Sequence, residues 1–151
     1  MDSMELSSIQ FREGDDARFG GIDITISLTR DQAVAIPDVG LMADAVRAAL
    51  DALATLRLGY VDQSPYNPDQ PHADADADYW RSAIWALDRR LLSQLTGIRD
   101  AAVRAHIDSG GTVAETARAM DVARSTAQYR REALQATAPS TWETWATTPQ
   151  H

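Results

Sequence analysis

The chain has 151 residues, 44% of them hydrophobic, enough for one or two small domains that each bury a modest core. It contains no cysteine, which excludes disulfide stapling and cysteine-ligated zinc. The net charge of −8 is unevenly divided: residues 1–80 hold fifteen acids against five arginines, a balance of −10, whereas residues 81–137 hold nine arginines against six acids, a balance of +3. Screening confines each field to about 8–10 Å at physiological salt, so the basic segment can meet an anionic partner while the acidic half faces elsewhere.

All fourteen basic residues are arginine. Arginine is the better bidentate ligand for guanine and phosphate, although a GC-rich coding sequence produces the same bias. Met1 to Gln10 holds acids and no apolar run, so no secretory leader is expected. No stretch is long and apolar enough to span a bilayer. The expectation is a soluble, cytoplasmic protein with no membrane contact.

In chain order, Ser8–Arg12 reads as a strand, followed by turn residues Gly14-Asp15-Asp16 and Gly20-Gly21. Residues 22–29 alternate apolar and polar without interruption, the pattern of a half-buried strand. A short third strand is expected at Val34–Ile36, stopped by Pro37. Asp38 is placed to cap a helix running to about Leu58. Its polar stripe (Asp44, Arg47, Asp51, Thr55) is narrow, so the helix is expected to be covered on more than one side. Either a homodimer interface or packing within the chain would supply that cover.

Residues 63–78 read as an acidic linker rich in proline and aspartate. The Asp74, Asp76, Asp78 spacing is that of an opening calcium loop, but the glycine position holds Tyr79 and the bidentate acid position holds Trp85. No metal and no cofactor are expected, and the acids suit a helix N-terminus. A helix from Tyr79 to about Leu95 follows, with Trp80, Ile84, Leu87, Leu91 and Leu95 on one face and Thr96-Gly97 as its break.

Three short helices are expected next: Ile98–Asp108, closed by Ser109-Gly110-Gly111; Thr112 to Met120, opened by a Thr112/Glu115 capping box; and Arg124 to about Gln135, after the turn Asp121-Val122-Ala123. Residues 98–136 resemble the trihelical helix-turn-helix of bacterial and phage regulators, recombinases and small terminase subunits. Ala117 stands where the two helices touch, Val122 at the apolar turn position, and Arg124-Ser125-Thr126 at the opening of the recognition helix. Asp121 replaces the usual turn glycine, Ala123 the usual cap, and Arg130 an apolar position.

The resemblance implies binding to double-stranded DNA. Arg124, Ser125, Gln128 and Arg131 would face the groove, Arg118, Thr126 and Tyr129 the phosphates, and Arg130 would pack its stem while its head reaches out. After Gln135 too few residues remain for a full β-wing. Trp142 and Trp145 either fold back on the helices or serve as an exposed anchor.

The expected class is therefore α+β: an acidic α+β unit at 1–62 for dimerisation or partner binding, the linker 63–78, a helical domain at 79–136 with a wingless helix-turn-helix, and a flexible tail at 137–151. No catalytic constellation is visible. The expected function is a homodimeric transcriptional regulator. The alternative is a protein-interaction module, such as an antitoxin or an assembly or packaging adaptor, whose acidic N-terminal half binds a partner protein.

Overall fold

A computed structural model describes residues 8–149. The leader reading, which rests mainly on residues 1–7, lies outside the described residues, as does His151. The described residues are α+β, with two small antiparallel sheets and a larger set of helices. Among the described residues no helix is long and apolar enough to cross a membrane.

The alternating N-terminal pattern yields a hairpin. Strand β1 (Ile9–Glu13) pairs antiparallel with β2 (Ile22–Ile26), placing Ile9 opposite Ile26 and Phe11 opposite Ile24. Opposed residues share a face, so Ile9, Phe11, Ile22, Ile24 and Ile26, with Glu13 at the end, line one side and Gln10, Arg12, Asp23 and Thr25 the other. The apolar side, expected to be half-buried, is exposed along its length.

The expected third strand at Val34–Ile36 is instead the end of helix α1 (Arg30–Ala35). Local capping overrides the β-branched residues: Thr29 Oγ1 accepts from the Gln32 backbone N–H at 3.2 Å, and Gln32 Oε1 accepts from the Thr29 backbone N–H at 2.9 Å. Helix α2 (Val39–Leu58) begins after Asp38 and ends at Gly59, which is left-handed. Asp38 makes no side-chain capping bond; its carboxylate accepts from Trp145 Nε1 at 3.1 Å.

The segment expected as a linker closes on itself. Strands β3 (Val61–Asp62) and β4 (His72–Ala73) pair, and the Tyr60 ring stacks on His72 at 4.0 Å. Asp76 caps helix α3 (Ala77–Trp85) by accepting from the Tyr79 backbone N–H at 2.8 Å, and Asp78 pairs with Arg81 at 2.8 Å. These acids therefore occupy the positive end of a helix, where carboxylates are favoured.

Helix α3 does not stop at Thr96-Gly97 as expected. It runs through a π-helical segment (Ala86–Leu92) into α4 (Ser93–Asp108), with helical backbone at both junctions. Gly97 is buried within α4, and a Cβ there would lie 2.6 Å from the Trp142 carbonyl. Its role is close approach; a glycine inside a helix costs only about 1 kcal/mol relative to alanine and need not end it.

The partner in that approach is helix α7 (Thr141–Thr147), within the segment expected as a flexible tail. Ser140 and Glu143 form a capping box, the signal that identifies this helix in the sequence. Glu143 is also buried against α4, where Arg104 Nε donates to its Oε1 at 2.6 Å, and Arg104 Nη2 donates to the Thr137 carbonyl at 3.1 Å. Trp142 and Trp145 meet edge to face and are half-buried, so they fold back rather than stand free.

Packing does not follow the expected division at residue 62. Helix α2 lies against the π-helical segment, and Tyr79 ties it to α3 as well by donating to Asp51 Oδ2 at 2.6 Å, with the Thr55 hydroxyl 2.9 Å away. The buried apolar residues are small: Ala17, Ala45, Ala52, Ala117 and Ala127, with Leu91 and Val103. Alanine lets helices approach closely but buries little area, so the interior is thin.

Two outcomes follow from the α4–α7 contact. Gly97→Ala should lower stability by about 1–3 kcal/mol through overpacking against Trp142, read as a reduced urea midpoint. Arg104 first, then the Ser140 backbone N–H, hold the Glu143 carboxyl below the usual glutamate range. That contribution is fully present above the ordinary carboxylate range and is lost as pH falls through the lowered value. Glu143→Gln should therefore destabilise at pH 7 by about 2 kcal/mol and flatten the acid limb of stability against pH.

Candidate nucleic-acid interface

The C-terminal helix pair is set by three local features. The first is the corner between α4 and α5 (Val113–Met120). Gly110 is left-handed there, and at Gly111 the His106 ring occupies the space a Cβ would need. Thr112 then opens α5: its hydroxyl accepts from the Glu115 backbone N–H at 3.2 Å, and Glu115 Oε1 accepts from the Thr112 backbone N–H at 3.1 Å. The Thr112 hydroxyl, then its backbone N–H, hold the Glu115 carboxyl below its ordinary value. His106 Nε2 lies 3.9 Å from Glu115 Oε2, and its Nδ1 3.4 Å from the Thr116 hydroxyl.

The second feature is the turn into α6 (Arg124–Ala136). Asp121 has φ 52° and ψ 52°, and is the sole non-glycine residue with positive φ among those described. The Val122 N–H returns to the Ala117 carbonyl at 3.0 Å. Ala123 precedes α6 with no side-chain cap. The third feature is the Ala117–Ala127 region, buried on both helices, where small side chains let α5 and α6 pack closely.

This scaffold sorts the expected site residues. Arg118, Arg124, Ser125, Gln128, Tyr129 and Arg130 are exposed, and Thr126 is half-buried. Arg118 and Arg124 carry no side-chain hydrogen bond or ion pair within the described residues. Gln128 Nε2 donates to Glu132 Oε1 at 2.9 Å. Arg130 Nη1 donates to Met120 Sδ at 3.7 Å, so its guanidinium head lies back across the helix pair toward α5.

Arg131 departs from the expected groove-facing position. It follows buried Ala127 by four residues, which puts it on the same inward side of the helix. Its Nη2 donates to the Gly111 carbonyl at 2.9 Å, tying α6 to the α4–α5 corner. Sequence reasoning also passed over Glu132, an exposed acid on the outward face of α6, one turn beyond Gln128.

Set against protein-family models, curated proteins and solved structures, the chain matches none.

The turn makes its own prediction. Asp121 holds a conformation that L-residues adopt at a cost, at a helix C-terminus that disfavours negative charge. Asp121→Gly should raise stability by about 0.5–1 kcal/mol, and Asp121→Val should lower it by more than that gain, both read from thermal midpoints.

Proposed function

We propose that the chain is a sequence-specific double-stranded DNA-binding protein, a homodimeric transcriptional regulator of the cytoplasm, in which α5, the Asp121 turn and α6 act as a wingless helix-turn-helix. The observation that carries this reading is the unpaired, exposed Arg124 at the start of α6, beside exposed Ser125 and Gln128, on a helix held to α5 by a three-residue turn. A recognition helix reads bases chiefly through its N-terminal residues. Arg124 suits guanine O6 and N7, and Gln128, released from Glu132, suits adenine N6 and N7. Arg118, Thr126 and Tyr129 are available to phosphates, which the N-terminal end of α6 also favours. Arg130, whose head lies against Met120 Sδ, would have to swing out to reach the edge of the site, while Arg131 holds the corner. The reading is non-enzymatic and calls for no cofactor.

A second reading has one observation in its favour. The exposed apolar hairpin face suits a protein contact, as an antitoxin or an assembly or packaging adaptor would make through its N-terminal half. Specific capture of one partner by the full chain, with no DNA selected, would favour it.

Selection from random duplexes followed by mobility-shift titration is the test. Binding should weaken with salt at a log–log slope of about −0.9 per phosphate contacted. Arg124→Ala should weaken the selected site about tenfold or more and relax preference at one base pair, corresponding to about 1–3 kcal/mol. Arg131→Ala should instead lower stability without changing base preference. Unchanged affinity and preference in Arg124→Ala would remove α6 as the reading helix.

A further inference from the structure

The isolated chain leaves an unusual amount of apolar surface uncovered. Its accessible surface is 11447 Å², whereas a compact monomer of 16.5 kDa exposes about 7500 Å². Only Leu91 and Val103 are large apolar residues buried among those described, against twenty-two that are exposed.

Two faces carry nine of these twenty-two residues. On the hairpin, Ile9, Phe11, Ile22, Ile24 and Ile26 are 43–67% exposed, and no helix packs against either strand beyond isolated contacts. A two-stranded hairpin is at best marginally stable in water unless its apolar face is covered. On α2, the buried stripe through Ala45, Ala52 and Thr55 faces the π-helical segment. Beside it Val46, Leu50, Leu53 and Leu56 form a second apolar stripe, 42–67% exposed.

We infer that a second copy of this chain covers both faces, so that the β1–β2 hairpin and the outer stripe of α2 together form a homodimer interface. The inference deepens the regulator reading, which needs two copies to engage two half-sites, and rests on it to that extent.

The area fits this occupant. Taking about 170 Å² for each fully exposed residue of this size, the hairpin offers roughly 450 Å² per copy and the α2 stripe roughly 350 Å². A standard stable interface buries about 800 Å² per partner. Charge fits as well. Among the described residues the hairpin face carries Glu13, at its end opposite Ile22, and the α2 stripe carries Arg57, so each copy brings one acid and one base to a patch that is otherwise apolar. Arg12 and Asp23 lie on the opposite face of the hairpin, and Asp44 and Arg47 pair with each other at 3.2 Å on α2. A basic partner protein would call for a cluster of acids within the patch, and among the described residues Glu13 stands there alone.

The test is sedimentation equilibrium of the full chain without DNA, across micromolar concentrations. The expected mass is twice the 16.5 kDa of one chain. Ile24→Asp and Leu53→Asp should each weaken dimerisation at least tenfold, with helical circular dichroism retained. Ile84→Asp, at an exposed site on α3 outside both faces, should leave the mass unchanged.

Because the chain has no cysteine, single cysteines give a second readout that needs no destabilising charge. Ile24→Cys should form a disulfide-linked dimer on mild oxidation, and Thr25→Cys, on the back of the hairpin, should not. A folded monomer throughout the range overturns the inference and leaves the faces to a different partner. A dimer unmoved by either aspartate substitution overturns the assignment of that face. Loss of DNA binding with the dimer intact would count against the DNA reading alone, and DNA binding by a monomer against this inference alone.

Discussion

The contact between Arg104 and Glu143 organises the C-terminal half. Glu143 is almost wholly removed from water, and burying a carboxylate is costly unless it is paired and hydrogen-bonded. Here it meets both conditions, with a guanidinium at 2.6 Å on one oxygen and the Ser140 backbone N–H at 2.6 Å on the other. One side chain thus caps α7 and fastens it to α4. Once α7 is fastened, Trp142 closes over Gly97 and Trp145 reaches Asp38, which brings the start of α2 onto the same surface. Breaking the pair would strand a buried charge and release those links together.

Several of the arginines hold the fold together. Arg47, Arg81 and Arg99 pair with neighbouring acids, Arg104 with Glu143, and Arg131 with the Gly111 carbonyl. Exposed ion pairs such as Arg81–Asp78 contribute little to stability. Arg118 and Arg124 form no such pair, and both lie on the α5–turn–α6 unit. Arg118, Arg124, Arg130 and Arg131 share that unit with Glu115, Asp121 and Glu132, so its local balance is +1 and its field is set by where each guanidinium points rather than by net charge.

Capping chemistry was the most legible part of the sequence. Thr112 with Glu115 marks the start of α5, and Asp38 the start of α2, although Asp38 gives its carboxylate to Trp145. The same S/T-x-x-E/Q pattern stands at Thr29–Gln32 and Ser140–Glu143, next to the segments expected as a short strand and a flexible tail. Gly97 shows the opposite failure. A glycine in a helical pattern signals either a break or a close approach, and what decides here is Trp142, forty-five residues later in the chain. Arg131 was placed toward the groove by the resemblance, yet its spacing of four from Ala127 already turns it inward. Burial of the hairpin face could not be read at all, since alternation reveals which side is apolar but not what covers it.

The continuous run from α3 through α4 bears on how the two proposed activities relate. Helix α2 packs on its π-helical segment, and α4, its far end, carries the corner from which α5 and α6 depart. A π-helical turn inside an α-helix changes the helical phase and so re-aims every side chain beyond it. The phase set at residues 86–92 thereby fixes the direction of Arg104 toward Glu143 and of His106 toward Gly111 relative to α2. In a dimer joined through α2 and the hairpin, the orientation of each α6 would be transmitted through one helical rod rather than a flexible linker. Separation of the two reading helices, and with it half-site spacing, would then be a property of that rod's length and phase.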